Sequence, residues 1–231
     1  MLYDVMVNGE EITYSPTTLG KIVLGGIFAV LLIGAVIAAR AWMKRQPERV
    51  QTSGSAIKQM TFCAMAIALG TVLSNVKLFE FPTGGSVTLL SMLVISLPGY
   101  FFGVGAGLLS GIAYGVLQLL IDPYVLSPVQ LVVDYLLAFG AFGLSGLFAG
   151  QRNGLTKGYI AAVIGRYVFA VISGWIFFGM YAWEGWGPLP YSLAYNAIYI
   201  FTEAAVTVIL LQLPQVKAAF GRVKRLALNE R

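Results

Sequence analysis

The sequence predicts an all-α membrane protein, a six-helix transmembrane bundle preceded by one extra N-terminal transmembrane helix. Hydrophobic residues make up 58% of the 231 residues and charged residues 11%, and the mean hydropathy is +0.80, far from soluble composition. The apolar residues fall into seven runs near the ~20 residues that cross the hydrocarbon at about 1.5 Å per residue. The basic residues collect in short gaps between those runs, which is how membrane topology is encoded. The net charge of +5 therefore points to the lipid bilayer and not to nucleic acid.

In chain order, residues 1–18 are polar and acidic (Asp4, Glu10, Glu11), carry no Lys or Arg, and are expected outside the cell. The run at 19–43 is the extra helix. Its basic cluster follows the apolar stretch instead of preceding it, which favours a retained helix over a signal peptide. Residues 44–57 form a basic cytoplasmic linker. Core spans are predicted at about 58–76, 87–103, 105–121, 128–149, 157–180 and 191–213, forming a membrane domain over 58–213, with a basic cytoplasmic tail at 214–231. The short gaps between spans make sequential helices antiparallel neighbours.

Charge counting orients the chain. Arg40, Lys44, Arg45, Arg49, Lys58, Arg152, Lys157, Lys217, Arg222, Lys224, Arg225 and Arg231 fall on one side, leaving Lys21 at an outer helix edge, Lys77 in an outer gap and Arg166 inside a span. An N-terminus outside and a C-terminus in the cytoplasm are expected. The outer gaps, KLFEFPTGGS (77–86), DPYVLS (122–127) and MYAWEGWGPLP (180–190), are rich in aromatics, Pro, Gly and acids. An interfacial aromatic belt accounts for any single Trp or Tyr there. Their convergence with polar residues inside the spans favours a lidded pocket open to the outside.

Three ionisable residues, Asp134, Arg166 and Glu203, lie within spans, where facing lipid is costly. Asp134, Asn196 and Gly174 sit at one level, about 8–9 Å below the outer surface. Arg166 and Glu203 sit near mid-membrane and are expected to form a structural ion pair, leaving Asp134 for a cationic ligand. Gly174 and Phe178 share a helix face, while Tyr191, Tyr195, Asn196 and Tyr199 crowd the start of the last span, so a small flat molecule would fit between them. Ala64, Ala66, Ala68 and Gly70 give two small-xxx-small pairs for close helix approach. The third core span, VGAGLLSGIAYG, reads as internal packing.

Cys63 is the one cysteine and there is no histidine, which removes intrachain disulfides, His-based metal sites and Ser-His or Cys-His catalysis. No GxxxxGK[ST] phosphate loop is present, so no ATP or other cofactor site is expected in this chain. An intramembrane enzyme is disfavoured by the lack of paired catalytic groups, and a self-contained secondary transporter by the lack of a clear inverted repeat.

The stretches FPTGGSVTL (81–89), YVLSPVQLVVDYLLAFGAFGLSGLF (124–148), RYVFAVISGWIFFGMYA (166–182) and YSLAYNAIY (191–199) resemble the thiamine-specific substrate-binding subunits of energy-coupling-factor transporters. The resemblance covers about residues 57–213. It implies a bundle that captures thiamine from outside with high affinity, is coupled to a membrane coupling protein and two cytosolic ATPases, and topples to release substrate inside. By matching motif, Asp134 and Tyr135 occupy the family's acidic-aromatic pair, with Tyr124 upstream. Gly174 looks like its pocket glycine, Tyr191 and Asn196 look like its Tyr-x4-Asn pair, and Ala64 and Ala68 match its coupling-protein patch. Phe81 and Tyr195 complete the expected substrate-binding set. The chain departs from the family at Ala170, where histidine is common, and at Phe178, where tryptophan is common. That leaves a related ligand, such as a thiamine phosphate, a ring precursor or another vitamin, as the alternative.

Overall fold

The computed structural model describes residues 3–8, 11–16, 53–81 and 85–228. The predicted extra helix at 19–43 and the linker as far as residue 52 lie outside the described residues. Near the N-terminus, β1 (Tyr3–Asn8) and β2 (Glu11–Pro16) form an antiparallel hairpin, with Tyr3 opposite Pro16 and Asn8 opposite Glu11.

The membrane-embedded part follows as α1 (Ser53–Ser74), a small antiparallel hairpin of β3 (Lys77–Glu80) and β4 (Ser86–Thr88), then α2 (Ser91–Phe102) and α3 (Val104–Ile121). A continuous helical span, α4, covers Pro128–Phe148. It is followed by α5 (Gly154–Phe177), α6 (Pro188–Gln212) and α7 (Pro214–Leu228). Five of these, α1, α3, α4, α5 and α6, are long and apolar enough to cross a membrane. The chain is thus a multi-pass, helical membrane protein.

α2 differs from the span predicted at 87–103. Only twelve residues are helical, about 18 Å at 1.5 Å per residue, too short to cross. The apolar run extends further because SVTLL, in strand β4 and the turn after it, merges with the helix in any hydropathy count. Met92, Ile95 and Ser96 are all but fully buried, because α1, α3, α4 and α5 enclose α2. Leu90 turns the chain from β4 into α2 with φ 60°, and Gly103, with φ 94°, is the single residue between α2 and α3. An L side chain avoids that second geometry, so the abrupt join requires glycine.

The core centres on Met92, Ile95, Tyr114, Phe142, Tyr159 and Ile200. Gly107, Gly111 and Gly115 of α3 lie four residues apart and run along the α4 backbone. A Cβ at Gly107 would lie 2.5 Å from Gly99 Cα and 2.7 Å from Gly143 Cα, and Cβ atoms at Gly111 and Gly115 would strike the carbonyl oxygens of Phe139 and Tyr135. Absent side chains let backbones meet, which is the source of helix association in lipid. Ala66 and Gly70 of α1 also face inward, Gly70 against the Tyr114 ring. Ala64 and Ala68 lie on the opposite, exposed face of α1.

The predicted ion pair is not formed. Among the described residues no ion pair joins Arg166 to Glu203. Glu203 Oε2 accepts from Thr88 N (3.0 Å) and Thr88 Oγ1 (2.6 Å), and Oε1 accepts from Met92 N (3.1 Å). The carboxylate caps the N-terminus of α2, where unpaired N–H groups and the helix dipole favour a negative charge. Arg166 instead rests on aromatic faces, 4.9 Å from the Phe139 centroid and 5.7 Å from that of Phe142. Glu203→Ala is expected to destabilise the protein by about 4.5 kcal/mol or more, since hydrogen bonds to charged groups contribute ~1.5–3 kcal/mol each and three are lost. The check is a thermal melt in detergent beside Arg166→Ala; equal melting temperatures for the two variants would contradict the capping role.

The tail predicted at 214–231 contains a helix. Val216, Phe220, Val223 and Ala227 recur at helical spacing and pack beneath Phe62, Leu97, Phe101 and Leu155, so α7 covers one end of the bundle. Lys224 Nζ donates to Ala149 O (2.6 Å) and sits 4.2 Å over the Tyr100 ring.

Candidate functional site

A cavity of about 230 Å³ opens between α4, α5 and α6 beneath the β3–β4 hairpin and the 122–127 loop. Its construction begins at the start of α4. Ser127 accepts a hydrogen bond from Gln130 N (3.1 Å), and Pro128 occupies the first helical turn, where its missing N–H has no cost. Gln130, 1% exposed, ties the 122–127 loop to α4. Its Nε2 donates to Tyr124 O (3.1 Å) and to Asp134 Oδ2 (2.6 Å), and its Oε1 accepts from Leu126 N (3.1 Å).

The chain then forms a π-helical segment over Val132–Leu137, a widened turn often found at functional sites. It delivers both Asp134 and Tyr135 to the cavity wall. Tyr135 Oη donates to Asp122 O (3.2 Å) and accepts from Tyr124 N (3.0 Å), which holds the 122–127 loop down. No Lys or Arg lies within ion-pair distance of Asp134 among the described residues. Ser173 Oγ borders the same cavity, buried and without a hydrogen bond of good geometry.

Aromatic side chains form the outer wall. The Tyr124 and Phe178 rings stack at 5.6 Å with a 25° interplanar angle, and the Tyr124 and Tyr181 hydroxyls lie 2.7 Å apart. That hydrogen bond, with some burial, pushes the Tyr124 phenol up to about 12. Tyr191, 3% exposed, packs edge-on against Trp183 at 5.3 Å and tilts against Tyr195 at 5.4 Å. Tyr195 Oη accepts from Gly85 N (2.7 Å), anchoring the hairpin. Lys77 reinforces the lid by pairing with Glu80 (2.6 Å) and approaching Asp122 (3.7 Å). The Glu80 hydrogen bond raises its pKa.

Gly174 and Asn196 meet where α5 and α6 cross. A Cβ on Gly174 would strike Ser192 Oγ and lie 3.1 Å from Asn196 Nδ2, so the glycine both opens the wall and permits the crossing. Asn196 Nδ2 donates to Ser192 O (2.8 Å) and approaches Ser192 Oγ (3.1 Å) and Ala170 O (3.3 Å), while Oδ1 accepts from Tyr199 Oη (2.8 Å). Asn196 is thereby preset in one orientation.

Thus the cavity brings together Asp134 and Tyr135 from α4, Gly174 from α5 with Phe178 just beyond it, Tyr191, Tyr195 and Asn196 from α6, and Tyr124. Phe81 does not reach it. Its ring stands 5.6 Å from that of Tyr195, edge-on, and supports that tyrosine from behind. Ala170 lines the wall at the position where the resemblance expects histidine, and Trp175 is absent from the lining. Sequence reasoning missed Gln130 and Ser173 and assigned Arg166 to structure, although Arg166 lines the cavity as well. The Ser-Pro helix start and the i, i+4 spacing of Gln130 to Asp134 were readable signals for the first.

The family model described as thiamine transporter protein (Thia_YuaJ) matches residues 60–220. The chain belongs to this family. The thiamine transporter ThiT of Bacillus subtilis (strain 168) is 36% identical over 146 residues, covering 57% of this chain and 76% of that one. The solved structure of ThiT from Listeria monocytogenes superposes with a TM-score of 0.59 at 25% identity, covering 70% of this chain and 97% of that chain. As a member of this transporter family, the chain shares the helical membrane fold of its relatives. The family match ends at residue 220, part-way along α7.

Proposed function

We propose that this chain is the membrane substrate-binding subunit that captures thiamine from outside for ATP-driven uptake by an energy-coupling-factor complex. The observation that carries the reading is a carboxylate, Asp134, with no basic partner in ion-pair range, set in a cavity beneath the stacked rings of Tyr124 and Phe178. Thiamine has a permanently cationic thiazolium and a flat aminopyrimidine. Asp134 answers the charge, and aromatic faces add about 0.5–2 kcal/mol per cation contact. Ser173, Asn196 and Tyr199 supply hydrogen-bonding groups for the pyrimidine edge. Membership in the thiamine transporter family supports the same ligand.

In this reading the chain hydrolyses no ATP and performs no chemistry on its ligand. A membrane coupling protein and two cytosolic ATPases supply the energy, and the exposed Ala64/Ala68 face of α1 receives the coupling protein. The N-terminus lies outside and the C-terminus in the cytoplasm, following the basic residues. The test is tryptophan fluorescence of the purified chain during titration with thiamine. Saturable quenching is expected; its absence, with quenching by a ring precursor or another vitamin instead, would move the assignment to that ligand.

Ala170 and Phe178 make the site poorer in cation-stacking groups than the resemblance expects. Ala170→His combined with Phe178→Trp is therefore expected to tighten thiamine binding about threefold to tenfold, the range that about 0.7–1.4 kcal/mol of added stacking produces. Calorimetric titration of the double variant measures it. Unchanged or weaker affinity would show that this cavity places its ligand differently.

A further inference from the structure

Helix α7 hangs from the last span by one extended residue, Leu213, and turns back under the bundle to meet α1, α2 and α6. Its apolar side, built around Phe220, Val223 and Ala227, closes the end of the bundle away from the ligand cavity, and Lys224 pins it there through Ala149 O and the Tyr100 ring. The rest of the helix looks outward. Lys217, Arg222 and Arg225 are exposed, and among the described residues no hydrogen bond or ion pair holds either arginine. Leu226 stands 64% exposed one turn beyond Arg222, on the same side of the helix. Arg152 and Lys157 add two more exposed cations at this end, where no Asp or Glu falls among the described residues. A topology signal requires only basic residues near the span ends. It does not require them mounted on a folded helix whose other side is fixed to the bundle.

We propose that the outward face of α7 binds the headgroups of anionic phospholipids. The phosphodiester oxygens of such a lipid accept paired hydrogen bonds from guanidinium forks. Leu226 enters the acyl boundary beside them, while the arginine stems carry their charge up to the phosphates. Basic segments directly after a span are drawn to anionic lipid over roughly a Debye length. The exposed side chains of Ile209 and Leu213 continue the lipid-facing surface of α6 to the start of this helix, so the bilayer is the occupant closest to the face. This goes beyond the thiamine reading and does not depend on it.

The test reconstitutes the full chain in phosphatidylcholine vesicles carrying a trace of spin-labelled phosphatidylglycerol or spin-labelled phosphatidylcholine, and reads by electron paramagnetic resonance the fraction of label immobilised at the protein. The wild type is expected to favour phosphatidylglycerol about threefold or more at low salt, the preference fading at high salt as exposed charges are screened. Lys217→Gln/Arg222→Gln/Arg225→Gln should bring the ratio to about one. Lys58→Gln/Arg152→Gln/Lys157→Gln removes the same number of charges from the same end without touching α7, and should keep at least about half of the preference. Equal loss in the two variants would mean diffuse charge and overturn a site on α7, as would a wild type with no preference. An α7 variant that keeps the lipid preference but no longer copurifies with coupling and ATPase subunits would assign the face to a protein and overturn the lipid reading.

Discussion

Gly111→Leu is expected to abolish the folded bundle. A Cβ at this position already strikes the Phe139 carbonyl oxygen and lies 3.1 Å from Gly140 Cα. The obstacle is backbone, which cannot rotate aside as a side chain does. Overpacking ordinarily costs about 1–3 kcal/mol; here α3 and α4 must separate along the whole Gly107–Gly115 stripe, and the total stability of a domain is only about 5–15 kcal/mol. The expected outcome is aggregated or unrecoverable protein on size-exclusion chromatography in detergent. Gly105→Leu on the same helix is the control, since nothing lies within 4 Å of a Cβ there, and it should leave the melting temperature within a few degrees. A monodisperse Gly111→Leu with wild-type melting would contradict the close approach of α3 and α4.

Asp134→Asn is expected to weaken thiamine binding tenfold to a hundredfold, a loss of about 1.4–2.8 kcal/mol. The substitution is nearly isosteric, and the retained side-chain carbonyl can still accept from Gln130 Nε2, so the fold and the outer loop should survive. What disappears is the negative charge facing a permanent cation in a site with little water to screen it. Titration of wild type and variant by the same fluorescence signal gives the ratio directly. Affinities within twofold of each other would remove Asp134 from the binding of the cation.

Much of this architecture could be read from the chain. Hydropathy located the long helices because a span must be continuous and apolar, and the small residues of VGAGLLSGIAYG in α3 announced internal packing. The depth of Asp134, Gly174 and Asn196, counted from helix ends, placed them at one level of one cavity. Depth is only one coordinate, however. Arg166 and Glu203 share a depth, but the backbone N–H groups at the start of α2 reach Glu203 first, and no count of charges reveals donors that belong to the main chain. The shortness of α2 was hidden because strand residues Ser86–Thr88 and the following leucines are as apolar as the helix they lead into. Helix α7 was read as a tail because its charges dominate its composition, although Val216, Phe220, Val223 and Ala227 carry a helical period. Gln130 and Ser173 escaped notice because uncharged polar residues do not stand out in an apolar run. Their importance comes from contacts made across the bundle.

The widened turn at Val132–Leu137 gives the fourth helix one residue more than an ordinary spiral of the same height would hold. Below it the spiral tightens to a 3-10 form over Ala141–Phe148, so one helix is wide beside the ligand cavity and narrow further along its length. The widened turn serves two purposes: the Tyr135 carbonyl lies against Gly115 of the neighbouring helix while Asp134 and Tyr135 border the ligand cavity. Packing and recognition thus meet in a single turn of one rod.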